Sequence, residues 1–164
     1  ILAFAFTSKG VLASSLLGRN ELTARLAGRG IREVVEVRRL PPGLEEELDA
    51  YFSGQPLDFS TPIWFAWGTP FQLAVWEAVR TIPYGQARSY SWLAEQVGRP
   101  RAYRAVGQAL KANPIPLLVP CHRIVRSDGG LGGFGPGLEL KIRLLEIEGA
   151  LGGLRLKRRG PKGV

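Results

Sequence analysis

Residues 113–125 read Asn-Pro-Ile-Pro-Leu-Leu-Val-Pro-Cys-His-Arg-Ile-Val, and the prolines at 114, 116 and 120 restrict this stretch more than any other. Each proline fixes its own φ, lacks a backbone donor and pushes the preceding residue toward extended geometry, so Asn113, Ile115 and Val119 are biased away from helix. The run presents its contents on a constrained backbone. Those contents are the only cysteine and the only histidine of the chain, Cys121 and His122, followed by Arg123. A thiol attacks as the thiolate, and at an unperturbed pKa of about 8.5 only a few per cent is ionised near neutrality. A nucleophilic cysteine therefore needs a base or a cation beside it, and His122 and Arg123 offer one of each. A lone cysteine among apolar residues would otherwise read as a small buried hydrophobe; the neighbouring His, Arg and Pro favour a positioned nucleophile.

The 164 residues suffice for one medium domain or two small ones with a real core. With no methionine even at position 1, the sequence is expected to begin inside or after a processed start. No apolar run approaches the roughly 20 residues that cross a bilayer, and no signal-peptide pattern opens the chain, so a cytoplasmic protein without a membrane partner is expected. One cysteine cannot close an internal disulfide, and one Cys with one His cannot build a structural zinc site, so no metal is expected. Charge is uneven. Residues 1–60 carry seven basic and eight acidic groups, a balance of −1, and residues 61–164 carry fifteen and six, a balance of +9. The half with the Cys-His pair thus has the electrostatic footprint of a polyanion binder, although a solvated basic surface has the same composition.

Along the chain, residues 1–6 and 10–16 read as two apolar strands joined by a tight turn. Residues 21–26 and 31–38 continue with alternation and then charge until Pro41-Pro42-Gly43 stops them. Leu44, Leu48 and Phe52 have helical spacing after an acidic first turn, Glu45-Glu46-Glu47. Nothing in this segment carries chemistry by its sequence, and its expected role is to buttress the rest. Residues 53–67 form a linker whose Trp64, Phe65 and Trp67 suit packing between segments, and a boundary is placed at 61/62. Thr69 caps a helix with Pro70 at its first position and Phe71, Val75, Trp76 and Val79 on its apolar face. Ser89 caps a helix over 90–97, Gly98-Arg99-Pro100 breaks it, and 101–112 follows as a second helix with small residues at Ala102, Ala105, Gly107 and Ala109. Helix, short glycine turn and helix spell a helix-turn-helix, a pattern shared by plain antiparallel packing. Gly130–Gly135 spells G-x-G-x-x-G, but Pro136 follows at once and too little chain remains for a dinucleotide-binding βαβ unit. Residues 138–148 read as a helix closed by Gly149, and 151–164 as a basic tail.

The Cys-His run and the residues around it, over roughly 69–149, resemble the active-site segment of the O6-alkylguanine-DNA alkyltransferases, suicide DNA-repair proteins. The resemblance implies an α/β protein: a small N-terminal α/β domain (1–61), a mainly helical C-terminal domain (62–150) with a winged helix-turn-helix and a Cys active-site loop, then the tail (151–164). It implies DNA repair by stoichiometric transfer of an alkyl group from O6 of guanine to Cys121, without cofactor, by a monomer acting on double-stranded DNA that contains O6-alkylguanine. His122 would be the base, acting through a water, and Glu148 the acid that orients it. Adjacent residues of an extended strand point to opposite faces, and the bridging water removes that difficulty.

The target carbon is out of reach inside a duplex, so the nucleotide must be flipped out. The resemblance gives Arg104 the vacated place in the stack, and Tyr90 the pressure on the target's phosphate and a proton for the leaving guanine. Asn113 would bridge backbone segments, and Pro116, Phe134 and Gly135 would line the pocket. Arg123, Ala102, Ala105 and Gly107 would join Arg104 and Tyr90 in meeting DNA. Lys141 falls on a basic position of the family, with no role assigned. Phe134-Gly135-Pro136 departs from the Tyr-plus-small-polar pattern of many relatives, which removes two side-chain hydrogen bonds to the base. An alkyl-binding protein without transfer activity would lack the cysteine, a cysteine hydrolase would have a distant histidine, and a plain helix-turn-helix binder would leave the Cys-His pair unexplained.

Overall fold

The computed structural model describes residues 2–154. Strands β1 (Ala3–Thr7) and β2 (Gly10–Ser15) form an antiparallel hairpin with an irregularity between Ala5 and Phe6. Gly10 opens β2 at φ +130°, where a Cβ would come within 2.5 Å of the Pro62 carbonyl oxygen, so glycine lets the linker lie against the strand. There the Val11 N–H donates to Pro62 O and the Trp64 N–H to Val11 O, at 2.9 and 2.8 Å.

Residues 21–26, expected to continue the alternation, lie in helix α1 (Arg19–Ala27), whose Leu22 and Leu26 are buried against Leu12 and Ala13 of β2. The four-residue spacing of those leucines defines a helix face that a period of two misses. Residues 31–38 form no regular element, and Val34, Val35 and Val37 are exposed. Helix α2 (Leu44–Phe52) buries Leu44, Leu48 and Tyr51, whereas Phe52, expected inward, is exposed. Its inward face thus repeats at i, i+4 and i+7.

Helix α3 (Pro70–Arg80) starts as expected. Thr69 Oγ1 accepts from the Gln72 N–H and Gln72 Oε1 accepts from the Thr69 N–H, a reciprocal cap contributing about 1 kcal/mol. Trp76 on this helix donates from Nε1 to Ala109 O at 2.8 Å and packs on Phe65, while Trp64 and Trp67 cover the hairpin core. A two-residue strand, β3 (Arg88–Ser89), leads into helix α4 (Tyr90–Gln96), capped by Ser89. After Gly98 at φ +69° the chain turns into helix α5 (Tyr103–Lys111), which starts two residues later than expected, with Ala102 as its N-cap. β3 pairs in parallel with β4 (Ile124–Val125), so the start of α4 lies beside the Cys-His turn. Helix α6 (Leu138–Ile147) ends at Gly149, φ +66°.

The main core runs across the 61/62 position, joining Val11, Leu44, Leu48 and Tyr51 to Trp76, Leu93, Val106, Ile115 and Ile124. Leu151 and Leu154, expected in the tail, pack against the cluster of Leu131, Leu145 and Ala150. The basic residues Arg155, Lys157, Arg158, Arg159 and Lys162 lie outside the described residues. The fold is of the mixed α/β class, and among the described residues no helix is long and apolar enough to cross a membrane.

Candidate active site

Cys121 does not lie in an extended strand. Cys121–Arg123 is one turn of 3-10 helix, set between Pro120 and β4. Proline cannot continue a ladder, and the tight turn lets three successive side chains leave the backbone in different directions. The approach is held from two sides. Asn113 Oδ1 accepts from the Ile115 N–H at 3.0 Å, and its Nδ2 donates to Val119 O at 3.0 Å and to Cys121 Sγ at 3.2 Å. From the hairpin, the Ser14 N–H donates to Pro114 O at 3.0 Å and Ser14 Oγ to Pro116 O at 2.6 Å. The Arg25 guanidinium binds the carbonyls of Ser14 and Pro114. Between these anchors Leu117 takes φ +82°, the one positive φ outside glycine among the described residues, at a cost of about 1–3 kcal/mol. The N-terminal segment, which showed no chemistry in its sequence, clamps the loop that leads to Cys121.

Cys121 is 8% exposed, and that exposure opens on a cavity of about 700 Å³. Tyr90, Gly107, Gln108, Lys111, Asn113, Pro116 and residues 133–136 line it, with Ser15, Leu16, Leu17, Glu21 and Arg25 on the N-terminal wall. The sulfur therefore faces a cavity that runs beside α5. Burial pushes the Cys121 thiol up, against the Asn113 amide and the nearby Lys141 charge, which pull it down. Burial thus works against the thiolate, and the Asn113 amide and Lys141 work for it. Its cationic neighbour is Lys141, which burial pulls down against the raising effect of a Cys121 thiolate, to about 8. Lys141 Nζ is fully buried and donates to the carbonyls of Ile124, Leu131 and Gly133 at 2.6, 2.5 and 3.2 Å.

Behind the sulfur lies a closed polar cluster. His122 is 0% exposed, and its Nε2 meets Glu148 Oε1 at 2.7 Å. Glu148, which alone would read as a surface carboxylate at a helix end, is buried and accepts from Arg123 Nε at 2.9 Å, Arg123 Nη2 at 3.2 Å and the Tyr51 hydroxyl at 2.7 Å. Burial works to raise the Glu148 carboxyl, but the hydrogen bonds and charges of His122 and Arg123 outweigh it and hold it at about 2. Burial pushes His122 below its usual range, opposed by Glu148 and reinforced by the charges of Arg123 and Lys141. An ionised Glu148 fixes the proton of a neutral imidazole on Nε2, leaving Nδ1 as the lone-pair nitrogen. Nδ1 is buried with no hydrogen-bond partner among the described residues, the kind of unsatisfied atom that calls for a functional reason.

Arg123 requires correction. Expected at DNA, it is 3% exposed and committed to Glu148, to Asp58 and to the Ile82 carbonyl, so it cannot reach a phosphate. Arg104 and Ala105 are exposed on α5, Ala102 and Gly107 are partly exposed, and a Cβ on Gly107 would touch nothing within 4 Å. Those small residues are not demanded by packing within the chain. Tyr90 is half-buried at the cavity, and burial pushes its hydroxyl up. Its ring occupies the space where a Cβ on Gly132 would fall, 2.7 Å away, and Gly132 has φ +70°. The structure thus gathers Cys121, Asn113, Tyr90, Pro116, Phe134 and Gly135 at the cavity and His122 and Glu148 behind it. Sequence reasoning missed Tyr51, Ser14 and Arg25. Tyr51 had a signal in the i, i+4, i+7 spacing from Leu44, whereas backbone-directed contacts such as those of Ser14 leave none. Among the described residues no three His, Cys, Asp or Glu side chains gather where they could share a metal ion.

The family model of the 6-O-methylguanine DNA methyltransferase DNA-binding domain matches residues 70–150. The methylated-DNA–protein-cysteine methyltransferase of Mycobacterium leprae is 52% identical over 102 residues, 62% of this chain and 61% of that protein. The inducible enzyme of that name from Bacillus subtilis is 47% identical over 102 residues, 62% of this chain and 56% of the relative. The matched segment thus spans less than two thirds of these relatives. Over more of the length, the Mycobacterium tuberculosis O6-methylguanine methyltransferase structure superposes with a TM-score of 0.76 at 36% identity, covering 91% of this chain and 86% of that one. A structure of Mycobacterium tuberculosis OGT in complex with DNA gives a TM-score of 0.73 at 37% identity, over 92% and 87%.

Proposed function

The chain belongs to the O6-methylguanine-DNA methyltransferase family, and from that premise we propose that it repairs DNA by moving the alkyl group from O6 of guanine onto Cys121, once per molecule. The observation that carries the reading is the position of Cys121 Sγ. It lies on the floor of a cavity of about 700 Å³ under an Asn113 amide, and the next residue is an imidazole with a free, buried Nδ1.

In this reading α4, the turn at Gly98 and α5 are a helix-turn-helix that lays the open face of α5 in the minor groove, and the loop at 130–137 is its wing. The exposed Arg104 and Ala105 and the partly exposed Gly107 support that use, because a smooth small-residue face lets a helix backbone approach a surface closely. Readout there distinguishes bases poorly, so damage is sought with little sequence preference. Arg104 fills the gap left by the extruded nucleotide, Tyr90 presses on its phosphate, and the base enters between Pro116 and residues 133–135. Residues 62–150 do this work while 1–61 clamp it. A lone reduced cysteine suits a monomer working in the cytoplasm.

The transfer balances without a cofactor. The thiol proton passes through water to His122 Nδ1, while Sγ forms a bond to the alkyl carbon and the carbon–O6 bond breaks. The electron pair of that bond stays with the purine, which takes a proton from the Tyr90 hydroxyl, and solvent returns the His122 proton to the tyrosinate. Burial bears on this route: it raises the Cys121 thiol, which favours a proton on sulfur before substrate arrives, and raises the Tyr90 hydroxyl, which favours a protonated donor. Glu148, ionised and hydrogen-bonded, stabilises the imidazolium that forms. The product is a thioether, which has no route back.

The test is intact-mass measurement after incubation with duplex DNA containing O6-methylguanine. One added methylene on Cys121 and none in Cys121→Ala is expected. A mobility shift of DNA without mass change would replace transfer by binding, and repeated turnover would indicate a hydrolase.

A further inference from the structure

Tyr51 lies in α2, seventy residues before the cysteine, and is fully buried. Its hydroxyl donates to Glu148 Oε1 at 2.7 Å, the same oxygen that meets His122 Nε2 at 2.7 Å, and stands 3.5 Å from that nitrogen. One carboxylate oxygen is therefore shared by the imidazole and by a phenol from the N-terminal segment. The ring is held edge-on by Phe52 and Tyr84, with centroids 5.2 and 5.8 Å away, so the hydroxyl has little freedom to leave. From this geometry we infer that Tyr51 is a positioning residue of the reaction, which sets how strongly Glu148 holds the His122 proton and thereby the basicity of Nδ1.

The inference deepens the reading under Proposed function and rests on it. A hydrogen bond into a carboxylate oxygen draws off part of its charge, so less remains to stabilise imidazolium. Other groups also face the pair. Arg123 binds both Glu148 oxygens, and Asp58 holds the far side of Arg123 at 3.3 Å. The Gly85 N–H reaches Glu148 Oε2 at 3.3 Å, the Tyr84 ring lies beside Arg123, and Lys141 and Cys121 flank His122. Of these, only Tyr51 donates a neutral hydroxyl to the oxygen that His122 uses. The phenol itself does not ionise in the working range, since burial pushes it up and Glu148 pushes it further. It acts as a fixed dipole and leaves the titration to His122.

Tyr51→Phe keeps the ring and removes the donor. Glu148 then keeps more charge on Oε1, imidazolium is favoured, and the His122 titration moves to higher pH. Because protonated Nδ1 cannot accept the thiol proton, the acid limb of the transfer rate follows it upward. On that acid limb the rate should fall about threefold against wild type, with the alkaline plateau within about twofold. His122 is the only histidine, so its ring proton signals report the same shift without assignment. Site-specific 3-fluorotyrosine at 51, a stronger donor of nearly the same shape, should move both readouts the opposite way. This second variant also guards against loss of folding in Tyr51→Phe. If the variants change only the unfolding midpoint and leave the His122 titration and the acid limb in place, Tyr51 is a packing residue and the inference falls. If wild type itself gains no alkyl mass from O6-methylguanine DNA, the functional reading fails, while the His122 titration still decides whether Tyr51 tunes the pair.

Discussion

The 3-10 turn sends its first side chain to a cavity and its next two into the interior, and the two sides are built by opposite rules. On the cavity side the Cys121 sulfur accepts from the Asn113 amide and meets open space beside Tyr90 and α5. On the inner side His122, Arg123, Glu148 and Tyr51 are sealed, with Glu148 taking hydrogen bonds from all three of the others. An atom that forms a bond to a bulky substrate must be reachable, while a group that handles its proton gains from a low-dielectric surrounding where charge interactions are strong. Adjacent residues meet both demands only because a tight turn separates their directions.

The comparison predicts that the inner side governs stability and the outer side governs DNA work. The largest effect belongs to Glu148→Ala, which leaves Arg123 buried without its main partner and should lower stability by about 3–5 kcal/mol in urea melts, with transfer lost at neutral pH. The pH dependence has a definite sign. The Glu148 carboxyl is held at about 2 in the folded chain, below the ordinary carboxylate 4.5, so its contribution is complete above about 4.5 and is lost as pH falls toward 2. Acid unfolding should be steep through that window in wild type and flatter in Glu148→Gln, measured by the melting midpoint at each pH.

Two arginines sharpen the contrast. Arg123→Ala should cost about 3 kcal/mol in the same melts. Arg104→Ala should leave the melt unchanged, slow transfer from duplex DNA about tenfold, and leave iodoacetamide labelling of Cys121 as it was. A nearly equal stability cost for the two would break the division between the sides. Gly132→Ala should cost about 1–2 kcal/mol, since φ +70° and a contact of 2.7 Å with Tyr90 both oppose it, and should slow transfer through the displaced ring. The smallest effect is Gly107→Ala. Its Cβ meets nothing, so α5 should gain about 0.5–1 kcal/mol from helix propensity while duplex affinity falls, measured by melting and by titration of labelled DNA.

Much was written locally. Thr69-Pro70 with Gln72, Ser89 before Tyr90, and Gly149 after the last helix mark their boundaries by short-range hydrogen bonding and φ preference, and the structure has them there. The lone Cys-His pair that follows Pro114, Pro116 and Pro120 marked the candidate site for the same reason, because residue type and backbone restriction need no partner from elsewhere. What the tertiary structure alone decided is where each charge went. Arg123 and Arg104 are the same residue, yet one is buried on a carboxylate and the other faces solvent. The upward push on the Cys121 thiol, the three carbonyls around Lys141 and the shared oxygen between Tyr51 and His122 depend on burial and on segments tens of residues apart. Local sequence sets what a residue can do; the dielectric and the partners that decide what it does are assembled only when distant segments close around it.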